Sequence, residues 1–362
     1  MALRLISFPA ENRTLLAALL VLAWAASARA SLEYSITDLG TLGGPYSKAW
    51  DISNQGLIAG IAYTGANVEH AALWKPPSPA ADLGTLGGPK SRAYAINDSG
   101  DVVGYAYVNA NAYHATLWQN SSPVDLGTLG GTRSCAWDIN RKSNVVGWAY
   151  TNSGTYNATF WGDDGPVNLG ILQGDYSIAY GINSEDVIVG VAQAETGSDI
   201  AVMWRDYQID VLGTLPGGTW SAARAINDSE QVILWADTAA GDTHAALWQD
   251  GAITDLGTFG GNDSWAYGLN NLGHVVGWAE SPYGTYQGFV YDGLEMHNLG
   301  TLGGLFSAAY GINDLGQIVG LSQTDSGQTH AVLWSPIPEP TSLSLLALGA
   351  LFLKRRNRQT PN

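Results

Sequence analysis

One cysteine, Cys135, stands in 362 residues, so an internal disulfide framework is excluded and packing must hold the fold. Positive charge is scarce as well, with 16 Lys and Arg against 32 Asp and Glu. It is scarcest in the middle of the chain. Arg4, Arg13, Arg29, Lys354, Arg355, Arg356 and Arg358 lie within the first 30 or last 27 residues, whereas only Glu11 and Glu339 of the acids do. The body between carries nine basic and 30 acidic residues, a net charge of −21. Such a surface repels DNA, RNA and anionic lipid heads, so no nucleic-acid partner is expected. The composition that remains is 46% hydrophobic with 45 glycines and only 13% charged residues. That is a folded, β-rich protein with many turns rather than a disordered chain.

The two ends read differently from the body. Arg4 and Arg13 flank an early polar region, Leu15 to Ala26 is apolar, and Ala28-Arg29-Ala30 has the small-x-small form of a cleavage site. Residues 1–30 are therefore expected to be a secretory signal peptide. At the other end, "SPIPEP" precedes the apolar run Thr341 to Leu353 and the basic cluster "KRRNR". Thirteen residues fall short of the roughly 20 that cross a bilayer, and the basic cluster would stay cytoplasmic. Pro338, Glu339 and Pro340, the short apolar helix, and Lys354, Arg355 and Arg356 together resemble the PEP-CTERM sorting signal. That resemblance implies an exosortase-type processing enzyme as partner, transient membrane contact through the C-terminal helix, and a final location outside the cell or on its envelope.

Between the ends, at residues 31–335, the sequence repeats. A Ser-x-Ala recurs at Ser47, Ser91, Ser134, Ser177, Ser221, Ser264 and Ser307. Each serine is followed 27 residues later by an aromatic: Trp74, Trp118, Trp161, Trp204, Trp248, Tyr291 and Trp334. Thirteen residues after the serine lies a glycine, replaced once by Leu234. The period is 43 or 44 residues. One unit, "SRAYAINDSGDVVGYAYVNANAYHATLWQNSSPVDLG", reads as four short strands with an Asn-Asp-Ser-Gly turn between the first two. Four strands at this period, repeated without helix, predict an all-β, seven-bladed β-propeller of four-stranded blades, whereas a parallel β-helix needs a much shorter coil. The body starts on a fourth strand, "YSITDLG", and stops on a third, "THAVLW". The N-terminal strand is thus expected to complete the last blade, leaving no open edge. The glycine-rich phrase "DLGTLGG" becomes the crossover between blades; a phosphate loop would lead into a helix, and these lead into strands.

The unit "HAALW…DLGTLGG…S-A…IN…G…VVG" is similar to the HAF repeat of bacterial extracellular proteins. The resemblance covers nearly all of residues 33–334 and implies a secreted repeat protein of propeller type. It brings no catalytic residues with it.

Internal repetition separates scaffold from function: a residue present in every repeat serves the repeat. His70, His114, His244 and His330 occupy matched positions with Asn157, Ile200 and Gln287, and isoleucine neither ligates a metal nor moves a proton. The Asn-Asp-x-Gly turns lack the oxygen density of a calcium loop. Cys135 fills a variable slot without a histidine companion, and the seven serines have no matched His and Asp, so both read as structural. No cofactor and no metal are expected. What varies is the crossover, which carries Tyr46, Tyr176, Trp220 and Phe306, with Trp265 in a neighbouring slot. These five form the candidate ligand face, with Tyr113, Tyr156, Tyr283 and Tyr286 in adjacent loops. The expectation is a non-catalytic module that binds a polysaccharide or surface partner. The alternative is a polysaccharide hydrolase or lyase, which would need an unrepeated carboxylate pair in the central channel. Glu69, Glu195, Glu280 and Glu295 are unrepeated acids that the sequence alone does not bring together.

Overall fold

The computed structural model describes residues 32–120 and 122–337. The signal-peptide reading of residues 1–30 and nearly all of the sorting tail lie outside the described residues. Those described contain 28 strands and no helix. The strands fall into seven antiparallel sets of four, giving a propeller-like all-β body. In the second repeat the order is Ser91–Ile96, Val102–Tyr107, Tyr113–Gln119 and Ser122–Asp125, each hydrogen-bonded to the next. In the last set the fourth strand is Tyr34–Asp38, which runs antiparallel to Thr329–Pro336 from Tyr34 opposite Pro336 to Asp38 opposite Val332.

The repeated residues explain themselves through packing between repeats. Trp74, Trp118, Trp161, Trp204 and Trp334 are fully or almost fully buried, while Trp248 and Tyr291 are half-buried. Trp118 packs in a cluster that joins Ala59 and Ala71 of one repeat to Ala93, Ile96 and Val102 of the next. A single repeat buries little apolar surface alone and needs its neighbours to exclude water. The mid-strand glycine also has a steric cause. A Cβ on Gly104 would overlap the carbonyl oxygen of Arg92 on the paired strand.

The seven serines are all completely buried. The Ser134 hydroxyl donates to the Gly127 carbonyl at 2.6 Å and accepts the Ala115 N–H at 2.8 Å. Ala115 belongs to the third strand of the preceding repeat, so one hydroxyl ties a crossover, an inner strand and a neighbour. Ser47 does the same across the chain ends, donating to Gly40 and accepting from Ala331. The "DLGTLGG" phrase supplies the loop that this tie requires. Asp38 accepts the Gly40 N–H, Thr41 donates to the Gly44 carbonyl, and Gly40 and Gly43 stand at φ 69° and 96°.

Two substitutions separate these contributions. Trp118→Ala is expected to lower unfolding free energy by about 3–5 kcal/mol through the cavity it leaves. Ser134→Ala is expected to lower it by about 1–3 kcal/mol by stranding a buried N–H and a carbonyl. Urea unfolding with a common slope measures both, and a Ser134→Ala midpoint equal to that of the unchanged protein would contradict the tie.

Candidate functional site

The first strand of each repeat carries a register shift. Pairing jumps from Ala49 to Asp51, and likewise past Tyr94, Trp137, Tyr180, Arg224, Tyr267 and Tyr310. A bulge sets two residues of one strand against one of its partner, so two consecutive side-chain positions turn the same way. In six repeats both line a cavity of about 150 Å³, to which the fourth contributes Tyr180 alone. The bulged residue is Trp50, Tyr94, Trp137, Tyr180, Tyr267 or Tyr310 in six repeats, and Arg224 in the fifth.

These side chains touch in sequence around the lumen. Ring centroids are 5.4 Å apart for Trp50 and Tyr94, 4.3 Å for Tyr94 and Trp137, and 5.6 Å for Trp137 and Tyr180. Arg224 fills the next place, its guanidinium carbon 4.1 Å from the Tyr180 ring centre and 6.0 Å from that of Tyr267. Tyr267, Tyr310 and Trp50 follow at 4.8 and 4.7 Å. Lys48 adds a second cation, with Nζ 3.5 Å from the Trp50 ring centre and 3.7 Å from that of Tyr310. Burial and the charges of Arg92 and Arg224 hold its ammonium down to about 7.

Two carboxylates sit in the position after the bulge, where the other repeats have Ala or Gly. Asp51 accepts the N–H groups of Ile52 and Ile96, and Asp138 those of Ile139 and Ile182. Each therefore bridges two repeats. Burial pushes Asp51 up to about 6 and Asp138 up to about 7, against the N–H groups that lower them. Of the unrepeated acids singled out from sequence, Glu69 is buried and paired with Arg92 at 2.9 Å. Glu195 and Glu295 are exposed, and Glu280 accepts the Asn262 N–H. Burial raises the Cys135 thiol, which keeps it protonated and unreactive.

The Asn-containing turns ring a second cavity of about 180 Å³. Asn97, Asn140, Asn183, Asn227, Asn270 and Asn313 each donate their amide to the carbonyl of the matched residue one repeat on, at 2.9–3.3 Å. The last of these reaches Ser53, the one matched residue without an amide to pass on. At the following position Asp98, Asp228 and Asp314 surround Arg141, with N···O separations of 3.7–3.9 Å. The Asn in each "IN" turn is thus an inter-repeat link, a role that local turn chemistry did not reveal.

The repeated histidines are also paired. His70, His114, His244 and His330 contact Asp82, Asp125, Asp255 and Asp38 at 2.7–2.8 Å. Where histidine is absent the partner changes too: Asn157 faces Asn168, and Gln287 faces Asn298. That coupled exchange was present in the sequence.

The candidate ligand residues Tyr46, Tyr176, Trp220, Trp265 and Phe306 are all half-buried rather than freely exposed. Two of them come together. Trp220 and Trp265 lie 6.4 Å apart, Trp265 stacks on Trp278 at 5.9 Å, and Trp278 meets Tyr286 at 4.7 Å. Tyr286 is 45% exposed and Tyr283 beside it 91%. Tyr176 belongs to a separate cluster with Tyr156 at 5.0 Å and bonds Asp199 through its hydroxyl, while Tyr46 packs on Tyr63.

Residues 336–359 match the PEP-CTERM protein-sorting motif, which implies exosortase processing and export to the envelope or the extracellular side. No curated protein matches the chain. Among solved structures the chain is similar to a puromycin-hydrolyzing peptidase of Mycobacterium tuberculosis, with TM-score 0.55 and 12% identity over 84% of this chain. It spans 54% of that peptidase, and the likeness is one of fold. Weaker likenesses are to the BP39L lectin of Burkholderia pseudomallei (TM-score 0.46, 10% identity, 85% of this chain and 98% of that one) and the Aleuria aurantia lectin (TM-score 0.39, 12% identity, 83% and 100%).

The raised Asp138 carboxyl gives a signed test. Unfolded, it titrates near 3.8; folded, near 7. Between those values the folded state holds a proton that the unfolded chain has lost, so this group's contribution to stability declines as pH rises. Asp138→Asn removes the decline. The melting temperature of the variant relative to the unchanged protein is expected to rise steadily from about pH 4 to about pH 8. A difference that is flat with pH would show that the carboxyl titrates normally.

Proposed function

We propose that the body is a seven-bladed β-propeller closed by its N-terminal strand, belonging to the HAF-repeat proteins and delivered outside the cell. In this reading it is a non-catalytic binding module of the envelope or extracellular matrix, and its ligand is a polysaccharide. The observation that carries the reading is the aromatic run Trp220, Trp265, Trp278 and Tyr286 in neighbouring repeats. Half-buried rings held in place by packing, ending on the 45% exposed Tyr286, offer sugar faces a rigid apolar platform. The net charge of −21 in the body favours neutral sugars over acidic polymers.

The alternative, a hydrolase or lyase working in the channel, draws on Asp51 and Asp138. Both carboxylates spend their oxygens on backbone N–H groups, and a lumen of about 150 Å³ is small for a polymer. Those features favour structural bridging over catalysis.

A glycan array with the mature protein, followed by a turnover assay on each hit, distinguishes the two. Trp265→Ala is expected to weaken binding of the best hit about 5–30-fold, the equivalent of about 1–2 kcal/mol. Its effect on binding should exceed that of Phe306→Ala, which lies outside the run. Product release from a hit that Asp138→Asn abolishes would replace binding with catalysis. Unchanged affinity in Trp265→Ala would remove the aromatic run from the proposal.

A further inference from the structure

The lumen holds an unusual combination. In a body with 30 acids, Arg224 lines the cavity and Lys48 sits against the Trp50 and Tyr310 rings of its wall, neither with a carboxylate within salt-bridge distance among the described residues. The Nε of Arg224 is buried and has no hydrogen-bond partner. Arg224 also breaks the repeat, taking the slot that six other repeats give to an aromatic ring. A buried guanidinium N–H without an acceptor carries a desolvation cost. The rings of Tyr180 and Trp235, 4.1 and 4.6 Å from its central carbon, support the guanidinium as a plane. What such a plane offers a ligand is its edge, a row of N–H donors that matches a carboxylate.

We propose that the lumen is a binding site for one small organic carboxylate with a flat apolar body, held by Arg224 and Lys48 among the aromatic side chains. The size agrees: a cavity of about 150 Å³ accommodates a benzene-sized molecule. The wall chemistry agrees as well. The six aromatic residues receive the apolar body, and Arg224 and Lys48 take the charge.

The groups facing the site make occupancy depend on pH. Arg224, Asp51, Asp138 and the phenols of Tyr94, Tyr180, Tyr267 and Tyr310 line it; Lys48 lies against the Trp50 and Tyr310 rings of its wall, and the Arg92–Glu69 pair and the buried Cys135 thiol lie outside the lining on the same first strands or beside them. The phenols and the thiol are shifted upward and stay neutral. Below about 6 both aspartates are protonated while Lys48 and Arg224 are charged, so the lumen is cationic. Above about 7 Lys48 loses its proton and both aspartates are ionised, so the lumen repels an anion. Affinity therefore tightens as pH falls, until the ligand itself takes up a proton.

Titration calorimetry of the mature protein with benzoate, and with neutral benzamide as the uncharged counterpart, tests the site. Benzoate is expected to bind at about pH 5.5 and at least about tenfold more weakly at about pH 8, with benzamide far weaker at both. Arg224→Tyr places in the fifth repeat the residue found at Tyr180 and Tyr267, which preserves the packing. It is expected to melt no lower than the unchanged protein and to bind benzoate at least about tenfold more weakly at the acid pH. If that variant fails to fold, Lys48→Met makes the same comparison. No benzoate binding at about pH 5.5 up to about 10 mM overturns the proposal. So does equal affinity in a folded Arg224→Tyr or Lys48→Met protein, or benzamide binding as tightly as benzoate.

Discussion

Everything in this molecule depends on side chains that hydrogen-bond across the boundary between repeats. A four-stranded sheet of short strands rich in Ala and Gly has too little apolar surface to hold itself. The serine hydroxyls fasten each inner strand to the preceding repeat, and asparagine amides fasten six of the seven turns to the following one. Both kinds of group are almost fully buried. Buried polar groups are worth most where every donor and acceptor is met, and they fix geometry more sharply than apolar contact does. The lumen inherits that geometry. Its width and the positions of its aromatic side chains follow from where these links hold the first strands.

Much of this was legible in the sequence. The period, the four strands per repeat, the structural role of the serines and the burial of Trp118 followed from spacing and residue type alone. The pairing of Tyr34–Asp38 with Thr329–Pro336 follows from the fact that the body starts on a fourth strand and stops on a third. The lumen was not legible, for a definite reason. Alternation along a strand assigns every second residue to a face, and a bulge reverses that parity from its position onward. Trp50 and Asp51 therefore share a lining that alternation would deny to one of them. The signal was nonetheless there, since the residue three places after each serine is aromatic in six repeats and arginine in one. The histidines read as polar ends of the third strands, and their aspartate partners do not emerge when each slot is compared singly. Taken in pairs they read His with Asp, Asn with Asn, Gln with Asn and Ile200 with Val211.

The two proposed sites differ in kind. The aromatic run occupies two neighbouring repeats and rests on variable residues around a constant frame. The lumen site is assembled from all seven repeats and becomes specific through one departure, Arg224. A cavity lined alike by every repeat would hold a ligand equally well in seven orientations. One arginine among six aromatic residues, with Lys48 on one side of the ring, selects one.

The contact between His330 and Asp38 joins residues 292 positions apart. Asp38 leaves the ribosome among the first residues of the body and waits for a partner that is made last. Until then the strand Tyr34–Asp38 and the last repeat each keep an unpaired edge, so completion is set by chain length and not by any local event. For a protein exported to the envelope or the extracellular side, the consequence is one of timing. The final set of strands forms only once His330 is present, 292 positions after Asp38.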